Sequence, residues 1–98
     1  MTESTQRIIE AIKLIPKGKV SCYRDIAARA GLPNGARQVV RVLHSLSEKY
    51  ELPWYRILRA DGFIALQSGA GAELQAELLQ KEGVKVSKEG RVDFDKYK

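Results

Sequence analysis

A turn containing proline and glycine separates two amphipathic stretches in the first half of the chain. The turn is Leu32-Pro33-Asn34-Gly35, a combination that interrupts a helix and favours chain reversal. The stretch 22–30 before it and the stretch 35–47 after it both place apolar residues at helical spacing. Two helices joined by so short a turn predict a helix-turn-helix.

Polar and small residues mark where these helices begin and end. Ser21 and Asn34 are candidate N-caps, and Gly31 fits the position that follows the last helical residue. An earlier helix would be capped by Ser4 or Thr5. Its apolar positions recur at helical spacing and are Ile8, Ile9, Ile12 and Ile15.

The second half of the chain predicts a β-hairpin followed by a helix. Asp61-Gly62 lies between the apolar pairs Ile57-Leu58 and Phe63-Ile64, which is a strong hairpin signal. The stretch 72–82 predicts a final helix that ends at Gly83. Its inward positions would be Leu74, Leu78 and Leu79.

The C-terminal tail alternates apolar residues around Lys88-Glu89-Gly90, with Val84 and Val86 before the turn and Val92 and Phe94 after it. This pattern predicts a small terminal hairpin. Taken together, the elements predict a mainly α fold with a small β-hairpin, a winged helix-turn-helix-like single domain that spans residues 1–98.

The size and composition of the chain bound its class. A length of 98 residues with 44% apolar content suffices for one modest core without metal or disulfide support. Cys22 is the only cysteine, and no Cys or His spacing suits a metal, so we expect a reducing compartment and no metal or cofactor. No apolar run reaches membrane-spanning length. We therefore expect a soluble, cytoplasmic protein that does not associate with membranes.

Positive charge is concentrated in the middle of the chain. The net charge is +5, yet the stretch 13–59 alone carries ten Lys or Arg against three Asp or Glu. Arg37 and Arg41 lie on the second predicted helix of the helix-turn-helix. This distribution indicates a polyanionic partner such as nucleic acid, while a solvated basic surface stays open as the alternative.

The stretch Leu52-Pro53-Trp54-Tyr55-Arg56-Ile57-Leu58 contains the single tryptophan of the chain. Pro53 fixes its own φ and favours an extended conformation at Leu52, so the backbone that enters Trp54 is stiff and non-helical. A stiff backbone holds a side chain in one direction, as a binding wall requires. The alternative is that Trp54 packs in the core, where large aromatic residues are common.

These motifs resemble those of the DNA-binding domain of the O6-alkylguanine-DNA alkyltransferases and, more closely, those of the alkyltransferase-like proteins. Tyr23 and Gly35-Ala36-Arg37 match the helix-turn-helix of that family. Pro53-Trp54-Tyr55-Arg56 stands where the transferases have Pro-Cys-His-Arg, so Trp54 replaces the cysteine that accepts the alkyl group. The block 78–84 is similar to the final helix of the family, whose Glu corresponds to Glu82.

The resemblance implies roles for individual residues. Arg37 would enter the base stack where the target nucleotide has left, and Tyr23 would help to rotate its phosphate. The docking of the helix-turn-helix in the minor groove would also involve Gly35, Ala36 and Arg41. The pocket for the extruded base would be formed by Tyr23, Pro53, Trp54, Arg56 and Ser68.

The departures from the family pattern exclude its chemistry. Alkyl transfer needs a thiolate and a base that generates it. Trp54 is not a nucleophile, and Tyr55, with an ordinary pKa near 10, is a poor base at neutral pH. Glu82 keeps its place but is expected to lack the partner that it would polarise. The transferases also carry Arg-Gly-Asn-Pro after the recognition helix, where this chain has His44-Ser45-Leu46-Ser47.

The leading hypothesis is therefore a monomeric, non-enzymatic sensor with no catalytic residues. It would bind O6-alkylguanine in double-stranded DNA by nucleotide flipping and mark the lesion for nucleotide excision repair proteins. One alternative is a helix-turn-helix regulator without lesion specificity, although a segment for dimerisation is not evident. Another is a thiol enzyme using Cys22, whose predicted place at a helix N-terminus would lower its pKa.

Overall fold

Helices dominate the computed structural model, which describes residues 2–64 and 70–98. The described elements are, in chain order, α1 (Glu3–Lys13), β1 (Ser21–Cys22), α2 (Tyr23–Arg29), α3 (Ala36–Leu46), a 3₁₀ turn (Trp54–Arg56), β2 (Ile57–Leu58), α4 (Ala70–Lys81) and α5 (Phe94–Tyr97). This confirms the prediction of a mainly helical fold that carries a small amount of β structure.

The first helix begins earlier than the sequence predicted. Thr2 is its N-cap, with a side chain that accepts a hydrogen bond of 3.1 Å from the backbone N–H of Thr5. The proposed caps, Ser4 and Thr5, instead lie inside the first turn. The inward face is as predicted, since the buried residues include Ile8, Ile9, Ile12 and Ile15.

The helix-turn-helix consists of α2 and α3, which pack against each other and against α1. Gly31 follows α2 with a φ of +78°, as predicted for that position. Both predicted N-caps are wrong. Ser21 lies in β1, and α3 is preceded by Gly35 rather than by Asn34. The turn leaves no room for a side chain at Gly35, where a Cβ would stand 2.8 Å from the Cβ of Leu32.

The two strands pair in parallel, with Ser21 opposite Ile57 and Cys22 opposite Leu58. The sequence predicted that β2 would instead form a hairpin with Phe63-Ile64. The Asp61-Gly62 turn does form, since the N–H of Arg59 donates to the carbonyl of Phe63 at 2.9 Å. Both residues of β2 are fully buried. The strand therefore lies inside the domain beside β1. Phe63 instead forms an isolated antiparallel β-bridge with Arg91.

Two clusters of buried residues form the core. The first lies between α1, α2 and α3 and includes Ile57, while the second holds Leu58, Leu79 and parts of the C-terminal tail. Successive residues of a strand point to opposite faces. β2 therefore joins the two clusters, because its adjacent residues belong to different ones.

The C-terminal tail packs on the second cluster. Its predicted hairpin is reduced to a turn in which the N–H of Ser87 donates to the carbonyl of Arg91 at 2.8 Å. Phe94 is not a strand residue but begins α5, because Asp93 caps that helix. The backbone N–H of Val20 donates to the carbonyl of Tyr97 at 2.9 Å, which ties the tail to the start of β1.

The predicted inward face of α4 is partly wrong. Leu79 is fully buried, but Leu74 is 46% exposed. The next residue, Gln75, is only 3% exposed and takes the interior position. Gln75 is four residues before Leu79, so both lie on the same face of the helix.

Candidate functional site

Two consecutive tight turns hold Trp54 in place. Pro53 has φ −77° and ψ 62°, the conformation of an inverse γ-turn. The N–H of Trp54 accordingly donates to the carbonyl of Leu52 at 2.8 Å, and that of Arg56 to the carbonyl of Pro53 at 3.0 Å. The backbone around Trp54 is therefore rigid, as the proline predicted.

Trp54 forms part of the wall of a cavity of about 460 Å³, a size typical of small-molecule sites. The side chain is half-buried, so it is not a residue of the closed core. Its ring meets that of Tyr55 edge-on, with centroids 5.9 Å apart. The residues that line the cavity are Tyr23, Val40, Leu43, His44, Ser47, Trp54 and Gln75.

The cavity lies between the helix-turn-helix and residues 52–56, which we call the Trp54 turn. Tyr23 starts α2, and its burial raises the pKa of its hydroxyl, which keeps the group neutral. His44 lies near the end of α3, and Ser47 is the residue that follows this helix. The hydroxyl of Ser47 donates to the carbonyl of Leu43. The end of α3 therefore helps to shape the cavity.

Glu82 is the centre of a polar cluster behind the Trp54 turn. Its Oε1 accepts hydrogen bonds from the backbone N–H of Gly18 at 3.1 Å and from Nε of Arg56 at 2.9 Å. Its Oε2 accepts from the hydroxyl of Tyr55 at 2.8 Å and from Nη2 of Arg56. The expectation that Glu82 lacks a partner is therefore wrong, because the phenol of Tyr55 reaches it.

The hydrogen bonds within this cluster shift the pKa values of Glu82 and Tyr55. Burial is the largest single influence on Glu82 and acts to raise its pKa, but the hydrogen bonds from Arg56, Gly18 and Tyr55 outweigh it and lower the pKa to about 2. Burial and the bond to Glu82 raise the pKa of Tyr55. Tyr55 is thus a neutral hydrogen-bond donor, and Glu82 is an anion that makes an ion pair with Arg56.

The other residues predicted for the pocket have different places. Arg56 turns its guanidinium to Glu82 and to the carbonyl of Ile15, at 2.9 Å from Nη1, and does not line the cavity. Pro53 shapes the turn and is half-buried. Ser68 lies outside the described residues. Among the residues predicted for the pocket that the structure describes, it brings together Tyr23 and Trp54.

The residues predicted to contact DNA surround the start of α3. Arg37 and Arg41 are exposed, and both line a second, open cavity of about 570 Å³ that also includes Gly35. Ala36 is the first residue of α3 and is half-buried. The arginines are thus available to a polyanion, while the absence of a side chain at Gly35 is required by the turn itself.

The thiol-enzyme alternative is not supported by the surroundings of Cys22. Its side chain is 4% exposed, and burial raises the pKa of the thiol. In the part of the chain that the structure describes, no cluster of His, Cys, Asp and Glu could hold a metal ion. No helix within residues 2–64 and 70–98 has the length and apolar character needed to cross a membrane.

Sequence reasoning missed Gln75 as a residue of the cavity wall. Its Nε2 donates to the carbonyls of Tyr55, at 3.1 Å, and Ile57, at 3.0 Å. The signal was its helical register, because position 75 falls on the same stripe as Leu78 and Leu79. A glutamine on an apolar stripe indicates a buried polar contact.

Residues 3–84 match the family model for the DNA-binding domain of 6-O-methylguanine DNA methyltransferase. A curated relative, the DNA base-flipping protein of Vibrio parahaemolyticus serotype O3:K6 (strain AQ3810), is 41% identical over 98 residues, which is 100% of this chain and 97% of the relative. Alkyltransferase-like protein 1 of Schizosaccharomyces pombe is 36% identical over 87 residues, covering 88% of this chain and 81% of that protein.

The fold is also similar to a solved protein–DNA complex. The crystal structure of S. pombe Atl1 in complex with damaged DNA containing O6-carboxymethylguanine matches with a TM-score of 0.88 and 32% sequence identity. The match covers 99% of this chain and 94% of that one. The matched part of this chain therefore includes both the helix-turn-helix and the Trp54 turn.

Proposed function

The chain belongs to the family of the 6-O-methylguanine DNA methyltransferase DNA-binding domain, and from this membership we propose that it is a non-enzymatic sensor of O6-alkylguanine in double-stranded DNA. The helix-turn-helix docks in the minor groove, and the damaged nucleotide is flipped into the cavity beside Trp54. The bound complex marks the lesion for nucleotide excision repair proteins in the cytoplasm, and the protein acts as a monomer.

The observation that carries this proposal is the position of the cavity. It opens between the helix-turn-helix and a rigid turn, and its walls include two aromatic side chains, Tyr23 and Trp54. A flipped base is held by stacking on aromatic residues and by hydrogen bonds to its edge. The relatives support the assignment, since one is named a DNA base-flipping protein and another is solved with DNA that contains an alkylated guanine.

The roles of the basic residues follow from their exposure. Arg37 is exposed near the start of α3, where it fills the gap that the flipped nucleotide leaves in the stack. Arg41 is one helical turn further along and contacts phosphate. Arg56 is held by Glu82, so its part is to fix the wall of the pocket rather than to touch the base.

At positions 54 and 55 the chain lacks the thiol and the base that alkyl transfer requires. Trp54 stands in the place of the acceptor thiol, and the hydroxyl of Tyr55 donates a hydrogen bond to Glu82. Because burial and Glu82 raise the pKa of Tyr55, its phenol does not become a base at neutral pH. We therefore propose that the alkyl group stays on the DNA throughout.

The proposal is tested with matched duplexes that differ by one O6-methylguanine. We expect tighter binding to the damaged duplex, and an unchanged intact mass of the protein after incubation. Equal affinity for both duplexes would favour a regulator without lesion specificity. A gain of one methyl group in mass would contradict the assignment as a non-enzyme. We also expect Trp54→Cys to gain no methyl group, because its neighbour Tyr55 is a neutral hydrogen-bond donor to Glu82 and does not act as the base that a thiol needs.

The docking surface is tested by salt. The basic stretch 13–59 predicts that the affinity for undamaged duplex falls steeply with salt, by about 0.9 in the log-log slope for each neutralised phosphate. We expect Arg41→Ala to weaken binding to damaged and undamaged DNA alike and to reduce the slope by about one.

Lys88→Ala is the control for salt dependence, since Lys88 lies in the exposed C-terminal turn outside the basic stretch. Titrations at several salt concentrations give each slope. An affinity that hardly changes with salt would show that the basic stretch is not the docking surface.

A further inference from the structure

Gln75 is a polar residue at the junction of α4 and the Trp54 turn. It is 3% exposed, and it also lines the cavity. Burying an amide is costly unless its hydrogen bonds are made. The contacts of this side chain therefore show what it holds in place.

Both contacts of the Gln75 amide nitrogen are to backbone carbonyls, one in the 3₁₀ turn and one in β2. Nε2 donates to the carbonyl of Tyr55 at 3.1 Å and to that of Ile57 at 3.0 Å. Only the NH₂ end of a carboxamide serves two carbonyl acceptors, so the orientation of the amide is determined by its partners. One side chain thus spans the end of the 3₁₀ turn and the start of β2.

The two carbonyls belong to the residues on either side of Arg56, and the first of these residues directly follows Trp54. Pro53 and its γ-turn hold the backbone on the side that enters Trp54. On the other side, the turn includes Tyr55 and Arg56 and then passes into β2. Gln75 connects this second side of the turn to α4. The side chains of Gln75 and Trp54 both line the same cavity.

We propose that Gln75 is a positioning residue that sets the direction of the Trp54 ring in the lesion pocket by binding the carbonyls of Tyr55 and Ile57. The inference rests on the proposed function for its consequence in DNA binding, but not for its effect on Trp54. Gln75 acts through the backbone, and its two N–H groups are the feature that matters.

The test uses three variants and the fluorescence of the single tryptophan. Gln75→Met keeps the volume of the side chain but removes both donors, whereas Gln75→Lys retains N–H donors. Gln80→Met is the matched control, because Gln80 is an exposed glutamine on the same helix. Quenching of Trp54 by acrylamide in the free protein reports the exposure of its ring without any DNA.

We expect Gln75→Met to increase the quenching of Trp54, and Gln75→Lys to restore it towards the wild-type value. We expect Gln75→Met to weaken binding to the damaged duplex about tenfold, as for the loss of two neutral hydrogen bonds, while binding to undamaged duplex changes by less than about twofold. Gln80→Met should change neither measurement.

Unchanged quenching in folded Gln75→Met would overturn the inference, and so would a folded Gln75→Lys that quenches as Gln75→Met does. If wild-type protein binds both duplexes equally, the proposed function fails while the quenching result still decides the role of Gln75. If Gln75→Met does not fold, hydrogen exchange in wild-type protein decides. The side-chain amide protons of Gln75 should exchange more slowly than those of Gln80, and equal rates would contradict the proposal.

Discussion

Glu82→Gln is expected to lower the free energy of unfolding by about 3 kcal/mol, the cost typical of breaking a buried ion pair. Four donor contacts, from three residues, converge on the two carboxylate oxygens. An amide nitrogen accepts no hydrogen bond, so glutamine leaves two of these contacts unmade whichever way it is turned. It also leaves Arg56, whose side chain is 13% exposed, without its counter-charge.

The effect of this substitution should depend on pH in a defined direction. The pKa of Glu82 is lowered from its ordinary 4.5 to about 2, which corresponds to about 3 kcal/mol of stabilisation of the folded state at neutral pH. That stabilisation is complete above about pH 4.5 and is lost as the pH falls towards 2. We therefore expect the difference between wild type and Glu82→Gln to shrink over this range.

Chemical unfolding of both proteins between pH 7 and pH 3 measures this difference. The control is Glu77→Gln, because Glu77 lies on the same helix and pairs with Lys81 while 61% exposed. Exposed pairs contribute little, so this change should cost less than about 1 kcal/mol at every pH. A cost for Glu82→Gln that matches the control would show that the cluster does not stabilise the fold.

Trp54→Ala is expected to reduce the affinity for damaged duplex by about 1–3 kcal/mol, roughly fivefold to 150-fold, because stacking on an aromatic ring is lost. Binding to undamaged duplex should be nearly unchanged, since Trp54 lies in the cavity and the exposed arginines lie on α3. The half-buried position of the ring leads us to expect that the variant still folds.

Titration of both duplexes, together with a thermal melt of each protein, separates these effects. Trp54→Phe is the matched variant, because it keeps an aromatic face and should lose less affinity than Trp54→Ala. Arg37→Ala should also weaken binding to damaged DNA, and a fluorescent base analogue beside the lesion should report less extrusion. Loss of a cooperative melt in Trp54→Ala would indicate that Trp54 is a core residue after all.

The helical parts of the fold could be predicted because their signals are local. Apolar spacing located α1, α2 and α3, and Gly31 marked the end of α2 with the positive φ that glycine tolerates. Pro53 likewise indicated a rigid backbone before Trp54, and the structure has a γ-turn there. In each case the sequence neighbours of a residue determine its conformation.

The contacts behind the site could not be predicted because they join distant parts of the chain. Glu82 meets Arg56 and the loop at Gly18, and no pattern in the sequence pairs these three positions. β2 was predicted to pair with its neighbour in sequence but pairs with β1. Glu51 adopts a φ of +52° although nothing in its residue type favours that conformation. Tertiary packing decides the first two of these, whereas the φ of Glu51 belongs to a local cap after α3, in which the N–H of Leu52 donates to the carbonyl of Ser47 at 2.9 Å.

The parallel pairing of β1 with β2 also bears on the order of folding. The two strands are separated by the whole helix-turn-helix, so their pairing requires closure of a long loop, which is slow compared with contacts between neighbours in the chain. The contacts among α1, α2 and α3 lie within the first half of the chain. We therefore expect the helical surface that carries Arg37 to form first. The wall that carries Trp54 would then reach its place only when β2 docks, so a partly unfolded chain would keep the DNA-docking surface and lack the pocket.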